Sequence, residues 1–350
     1  MIILLFGMVK ADVVFAQRPV KPVSPLVVNK GVITYNADSL GNRIPDFSYC
    51  GYMASEEAIP TVPVKAVVPV VKGDATRQIQ DALNYVASLP VDKNGFRGAV
   101  LLQKGTYSVS GQLMMMASGV VLRGSGVGKG GTVLIGAGKD RQTLIRIFGK
   151  ADKTSGAEIK VTDAYVPVGA ITLSVNDASG FKAGDPIIIH RPSTLAWIKL
   201  LGTDHFGGGV TALGWKPGER DLYFERKIVS IDNNTIRFDV PLTTALDTTY
   251  GGGTLAKLSW PGRIEKTGVE NLLLQSEYDV TNPKDEAHRW MAITLENVAD
   301  AWVKQVNFKH FAGSAVAVLE SAKRVTVEDC KSMAPVSEIG GQRRYTFFTA

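Results

Sequence analysis

The sequence predicts an all-β chain whose body is a coil of parallel strands, with one helix near its start and an all-β subdomain inserted in its middle. Two observations carry this. The stretch from Gly268 to Ser332 repeats itself: at a fixed offset of 24, Leu295 falls on Leu319, Glu296 on Glu320, Val303 on Val327 and Val306 on Cys330. Within each copy the apolar residues alternate, as in Ala301 and Val303 or Val325 and Val327, which is the period of a strand. An earlier copy beginning at Asn271 fits the same frame 29 residues before Asp300, its five extra residues taken up by the polar run 279–289.

Strands recurring at this interval without helix-length apolar patterns between them exclude a doubly wound sheet, whose parallel crossovers need helices. A coil of parallel strands remains, in which equivalent residues stack about 4.8 Å apart on successive turns. Each inward apolar residue then contributes roughly 1.5–3 kcal/mol by burial, so a ladder of several sets the register. Two unrelated hairpins of similar sequence are the competing reading.

With 350 residues, 45% of them hydrophobic, the chain is long enough for a large core or an elongated coil with a smaller domain attached. Its 36 Gly and 16 Pro suggest many turns. The net charge of +6 comes without a Lys/Arg block, which argues against a nucleic-acid partner and is compatible with an acidic polymer. After the first nine residues no stretch is long and apolar enough to span a membrane. Residues 1–16 read in part as a secretory signal, an apolar core from Ile2 to Val9 followed by Val14-Phe-Ala16, although the basic start is missing. Cys50 and Cys330 make no metal or redox spacing, and a small buried hydrophobe is the expected role of Cys330.

Residues 17–72 are rich in Pro and turn chemistry and read as an irregular lead-in. In 73–150, Asp74 reads as an N-cap, Ile79, Ala82, Leu83 and Val86 follow at helical spacing, and Pro90 stops the pattern. Four short strands with Gly punctuation come next. The runs Gly73-Asp-Ala-Thr-Arg-Gln-Ile-Gln-Asp-Ala-Leu83, Gly98-Ala-Val-Leu-Leu-Gln-Lys-Gly-Thr-Tyr107 and Ser118-Gly-Val-Val-Leu-Arg-Gly-Ser-Gly126 resemble the N-terminal signature of the pectate lyase superfamily. The resemblance implies a right-handed parallel β-helix with an N-terminal capping helix, in a secreted, polysaccharide-associated protein. Family members usually carry an acidic pair and Thr where this chain has Asp74-Ala75-Thr76, and the signature specifies fold better than activity.

The run Gly124 to Gly131 looks like a phosphate loop. Arg123 stands where such a loop needs Gly, Gly130 stands where it needs Ser or Thr, and a strand follows, so a turn is the better reading. Residues 151–262 break the rhythm of short rungs. Their strands, 170–175, 186–189, 227–231 and 235–240, the last two joined by a turn at 232–234, read as the inserted all-β subdomain. Between them, Trp197 and Trp215 are either a sugar-stacking surface or the packing of a Gly-rich loop on itself.

In a coil of this kind the outer strand face and its side loops form a groove for a chain-like ligand, which directs attention to residues 285–345. The ligand expected is a polysaccharide, preferably acidic. For β-elimination on a uronic-acid polymer a base removes the proton beside a carboxylate while positive charge stabilises the enolate. Superfamily lyases use Arg or Lys as base, often with calcium, and here His288, Arg289, His310, Arg343 and Arg344 supply suitable groups. Trp290, Lys309, Lys331 and Tyr345, with Trp197 and Trp215, are the binding candidates; the metal is open, with Asp285 and Glu286 the carboxylates that could hold a cation. Glycoside hydrolysis is the alternative, but its facing carboxylates are not evident, since the adjacent Glu328 and Asp329 point to opposite faces of a strand. A non-catalytic glycan-binding or surface-assembly protein is the third reading. The apolar ending 345–350 is expected to be followed by further turns, so that 263–350 is an incomplete coil.

Overall fold

The structure is a computed structural model that describes residues 24–128, 130–206, 213–341 and 343–349. The expected leader therefore lies outside the described residues. The chain is mostly β, and two of its sheets are entirely parallel.

The longer sheet runs through Val64–Val68, Gly98–Leu102, Val120–Arg123, Ile264–Ser276, Val298–Lys309 and Lys323–Glu328, flanked by Gly105–Val109, Thr132–Gly136 and Lys331–Met333. The shorter sheet takes Leu113–Met115, Ile145–Phe148, Met291–Glu296, Ser314–Val318 and Tyr345–Thr349. From Met291 onward the chain alternates between the two sheets, adding one rung to each in turn. Their inward residues, among them Val303, Val306, Ile293 and Val316, share one buried core.

Val303 pairs with Val327 as the repeat requires. Leu295, however, pairs with Val318 and not with Leu319. The turn Leu319 to Ala322 is one residue longer than its counterpart Glu296 to Val298, so the shorter sheet repeats one residue earlier than the longer one. Glu296 and Glu320 are therefore not stacked; Glu296 pairs instead with Arg146 at 2.9 Å. The earlier copy also sits elsewhere in the frame, because Leu272 pairs with Val306, an offset of 34 rather than 29.

Left-handed backbone marks the bends of the long strands. Lys266, Asp300 and Arg324 have φ of 56°, 52° and 54°, and Asn271, Gln305 and Asp329 have 59°, 53° and 53°. Each set recurs on successive rungs, so all three long strands bend at matching places. On the outer face, Arg123, Glu270, Lys304 and Glu328 are neighbours in register across four strands. Their signs alternate, with Arg123 and Glu270 at 2.5 Å and Lys304 and Glu328 at 2.7 Å, the arrangement cross-strand charges favour.

Part of this outer face is covered. Trp302 is fully buried among Tyr52, Val62, Phe96, Ala99 and Val121, and its indole lies over Gly268 on the neighbouring strand, where any Cβ would collide with the ring. Tyr52 N and Met53 N donate to Thr326 Oγ1 at 2.8 Å and to Asp300 Oδ1 at 2.9 Å, tying the lead-in across the strands. The open groove expected on the outer strand face is thus closed over its first half.

The helix spans Thr76–Ser88 and buries Ile79, Leu83 and Val86 in the core that the two sheets share. Its N-cap is Ala75, not Asp74. Asp74 acts one residue earlier, accepting from Thr76 N at 3.1 Å and from Ser110 N at 3.0 Å and Oγ at 2.7 Å.

Between Phe148 and Ile264 the sheets are antiparallel, ordered Thr154–Ser155, Thr254–Ser259, Pro186–Arg191, Leu222–Asp232, Thr235–Phe238 and Thr172–Ser174, over a separate apolar core. Glu225 fastens this unit to the longer parallel sheet through Arg263 at 2.6 Å, while Lys323 lies at 3.9 Å. Trp197 and Trp215 stack on each other at 5.9 Å, with Arg191 over the first at 4.1 Å and Arg220 over the second at 5.3 Å, so the two rings pack against their own loop.

Candidate functional site

The sequence-predicted residues collect on the turns that lead from the longer sheet into the shorter one. On successive rungs this turn carries Arg141, Trp290, Gly313 and Arg343, each just ahead of a strand of the shorter sheet. Backbone bonds hold the steps together: Trp290 N donates to Gln142 O at 3.3 Å, Gly313 N to Trp290 O at 2.8 Å and Arg344 N to Ala312 O at 2.9 Å. Rungs lie about 4.8 Å apart, so this column spans roughly 14 Å along the coil.

Gly313 makes the column continuous. A Cβ there would lie 2.6 Å from Trp290 Nε1, so only the missing side chain lets the indole lie across the next rung. The Arg141 guanidinium then sits 3.9 Å from the Trp290 ring centre and that of Arg343 at 5.9 Å. The Glu286 carboxylate occupies the space between the cations: it pairs closely with Arg343 and lies 3.7 Å from Arg141 Nη1. The hydrogen bond from Arg343 holds Glu286 below the usual carboxylate range, and the same bond raises Arg343.

No family model matches the chain, and no curated protein matches it. Among solved structures it is similar to the tailspike protein gp49 from Pseudomonas phage LKA1, with a TM-score of 0.37 and 12% identity over 72% of this chain. It is similar to the gp54 tailspike of Acinetobacter baumannii bacteriophage AP22, solved with a capsular saccharide, at 0.30 and 12% over 76%. A family 28 exopolygalacturonase of Yersinia enterocolitica gives 0.28 and 11%, also over 76%. The chain spans 39%, 44% and 42% of these three proteins.

The remaining expected residues divide by burial. His288 is 1% exposed, with Nδ1 accepting from Ser276 Oγ at 2.8 Å and Nε2 donating to Asp285 O at 3.1 Å and Val336 O at 3.0 Å. Arg289 is fully buried, donating to Asp140 Oδ1 and Ser110 O at 2.5 Å and to Gly111 O at 2.6 Å. Both side chains hold the loop 277–290 onto the coil, and neither is open to a substrate. Arg344 likewise donates to Ser337 O, across its own turn.

Asp285 is 7% exposed. Burial works to raise its carboxyl, but hydrogen bonds from Asp279 N and Ala287 N outweigh this and lower it. With Asp285 so occupied and Glu286 between arginines, neither suits calcium. Among the described residues no group of three or more His, Cys, Asp or Glu is arranged to hold a metal ion.

His310 is accessible. Its Nδ1 donates to Ala334 O at 3.0 Å, which leaves Nε2 free to accept, and the Tyr278 ring lies 5.0 Å away. It stands three residues before Gly313, on the same turn as the column. Lys309 and Lys331 lie on the uncovered half of the outer face, on adjacent strands, and neither forms an ion pair among the described residues. Tyr345 is 46% exposed beside Arg344 and stacks on Phe348. Arg141, which the sequence reading missed, lies far from Trp290 in the chain and reaches it only through the rung order.

Proposed function

We propose that this chain forms a secreted, right-handed parallel β-helix that binds an acidic polysaccharide along the turns between its two sheets. In this reading the helix 76–88 caps the first turn, residues 151–262 form an insertion, and 263–350 are later turns of the coil. The observation that supports it is the Arg141–Trp290–Arg343 column. The indole holds the two guanidinium groups apart, such groups match carboxylates in bidentate fashion, and Glu286 already sits between them where a uronate would sit on displacing it. Lys309 and Lys331 extend the positive surface onto the strand face.

Of the two cleavage reactions, β-elimination suits the residues better. His310 turns its Nε2 outward as the base, and Arg343 supplies positive charge for the enolate once the substrate carboxylate displaces Glu286. For hydrolysis the nearby carboxylates are spent, Glu286 on arginines and Asp285 on backbone N–H groups. The test is incubation with a panel of polyuronates while following the ultraviolet absorbance of an unsaturated uronate. His310→Ala should abolish the signal and leave binding intact. Product that persists in His310→Ala removes that assignment, and reducing ends formed without the absorbance favour hydrolysis.

A further inference from the structure

The inserted unit carries a feature unrelated to the column. In its antiparallel sheet His190 pairs with Tyr223 on one side and Thr254 on the other, and Ile188 pairs with Glu225 and Ala256. Alternation puts these six side chains on one face, while Ile187, Ile189, Phe224 and Leu255 enter the unit's core on the other. The segment 153–158 runs along the sheet edge beside Thr254–Ser259 and borders this face. Between them lies a cavity of 280 Å³ with Ile188 and Ala256 as its floor and Lys153, Glu158, His190, Tyr223 and Thr254 among its walls. It has room for about nine waters, the size class of one sugar ring rather than a chain.

The polar groups are pre-set. Asp221 Oδ1 accepts from Ser193 N at 2.7 Å and Ser193 Oγ at 2.8 Å, and Oδ2 lies 2.8 Å from His190 Nε2. Asp221 can only accept there, so His190 donates to it through Nε2, while Nδ1 lies 3.4 Å from Thr254 Oγ1 at the cavity wall. Thr254 Oγ1 donates to Glu158 Oε2 at 2.7 Å, and Glu158 Oε1 stands 4.0 Å from Nδ1. Tyr223 is stacked on the imidazole at 4.8 Å and 10°, yet it is 58% exposed, which leaves its outer face and hydroxyl edge to solvent.

We infer that this pocket binds one uncharged, hydroxyl-bearing sugar ring. Tyr223 and the apolar floor take the C–H faces, and the Glu158 carboxylate accepts from hydroxyls. Acceptors facing the cavity suit hydroxyl donors, and the charges select against an anion. Glu158 repels a carboxylate, and Lys153 already faces Glu225 at 3.5 Å. The site is separate from the column and stands whether or not the column binds uronates.

The experiment is saturation-transfer NMR on the full chain with methyl glucoside, methyl galactoside and methyl glucuronide as probes. With the column disabled by Arg141→Ala and Arg343→Ala, at least one uncharged glycoside should bind saturably, the glucuronide more weakly. Affinity should fall about tenfold or more in both Tyr223→Ala and Glu158→Gln. Circular dichroism establishes that each variant is folded; Glu158 is exposed, so its variant serves if Tyr223→Ala fails to fold. No saturable binding of either uncharged probe, preference for the glucuronide, or full affinity in either pocket variant overturns the inference.

Discussion

The indole N–H of Trp302 donates to Glu270 Oε2 at 2.9 Å, and both side chains are buried on the outer face of the longer sheet. The other oxygen of Glu270 pairs with Arg123 on the next strand. Trp302→Phe keeps most of the packing but leaves a buried carboxylate oxygen without its donor. We expect a loss of about 1–3 kcal/mol, read from the denaturant midpoint at unchanged m-value.

Arg289 is expected to be a stability residue. Arg289→Ala empties a packed site and leaves Ser110 O and Gly111 O without their donor, while the half-exposed Asp140 turns to solvent; the loss should be about 2–5 kcal/mol. Gly138→Ala tests the same packing from the other side, because a Cβ there would overlap the guanidinium. Both variants should lower the thermal midpoint, with any loss of activity following the unfolded fraction.

The repeat was legible where one sheet keeps one offset. Val303 and Val327 pair as expected because no insertion separates equivalent positions of those strands. Leu295 and Leu319 miss by one because a turn differs in length, and turn length leaves no mark on an apolar alternation. The slip from 34 to 29 has a different cause. The left-handed residues Asn271 and Asp300 interrupt the alternation within a strand, so an odd shift can still match inward residues with inward ones. Composition pointed to the part of the chain where the column lies. It could not separate His288 and Arg289, which brace a loop, from Arg343 and Trp290, which face outward, because burial of a charged residue depends on partners as remote as Asp140.

Asp74 gives a pH dependence. Burial works to raise its carboxyl, but hydrogen bonds from Ser110 and Thr76 outweigh this and hold it well below the usual range. A depressed folded pKa contributes stability in full above the unfolded value, about 3.9, and loses it as pH falls toward the folded value. Asp74→Asn should therefore be less stable than the parent at neutral pH, by no more than about 1 kcal/mol given solvent screening, and the gap should close in acid. Urea midpoints across that range read it directly.

The two thiols should differ in reactivity. Cys50 is exposed, whereas burial raises the thiol of Cys330, which lies within 3.5 Å of Val303 O. Less thiolate and less access should make Cys330 react with a thiol reagent at least about tenfold more slowly than Cys50 in the native protein. The two should become equivalent on unfolding.

Affinity electrophoresis through gels cast with a polyuronate or with a neutral glucan tests the acidic-polysaccharide column most directly. The expected result is retardation by the polyuronate only, weakened by salt and lost in Arg141→Ala and Arg343→Ala, both folded by circular dichroism. Equal mobility in both gels, or retardation that survives both substitutions, would contradict it.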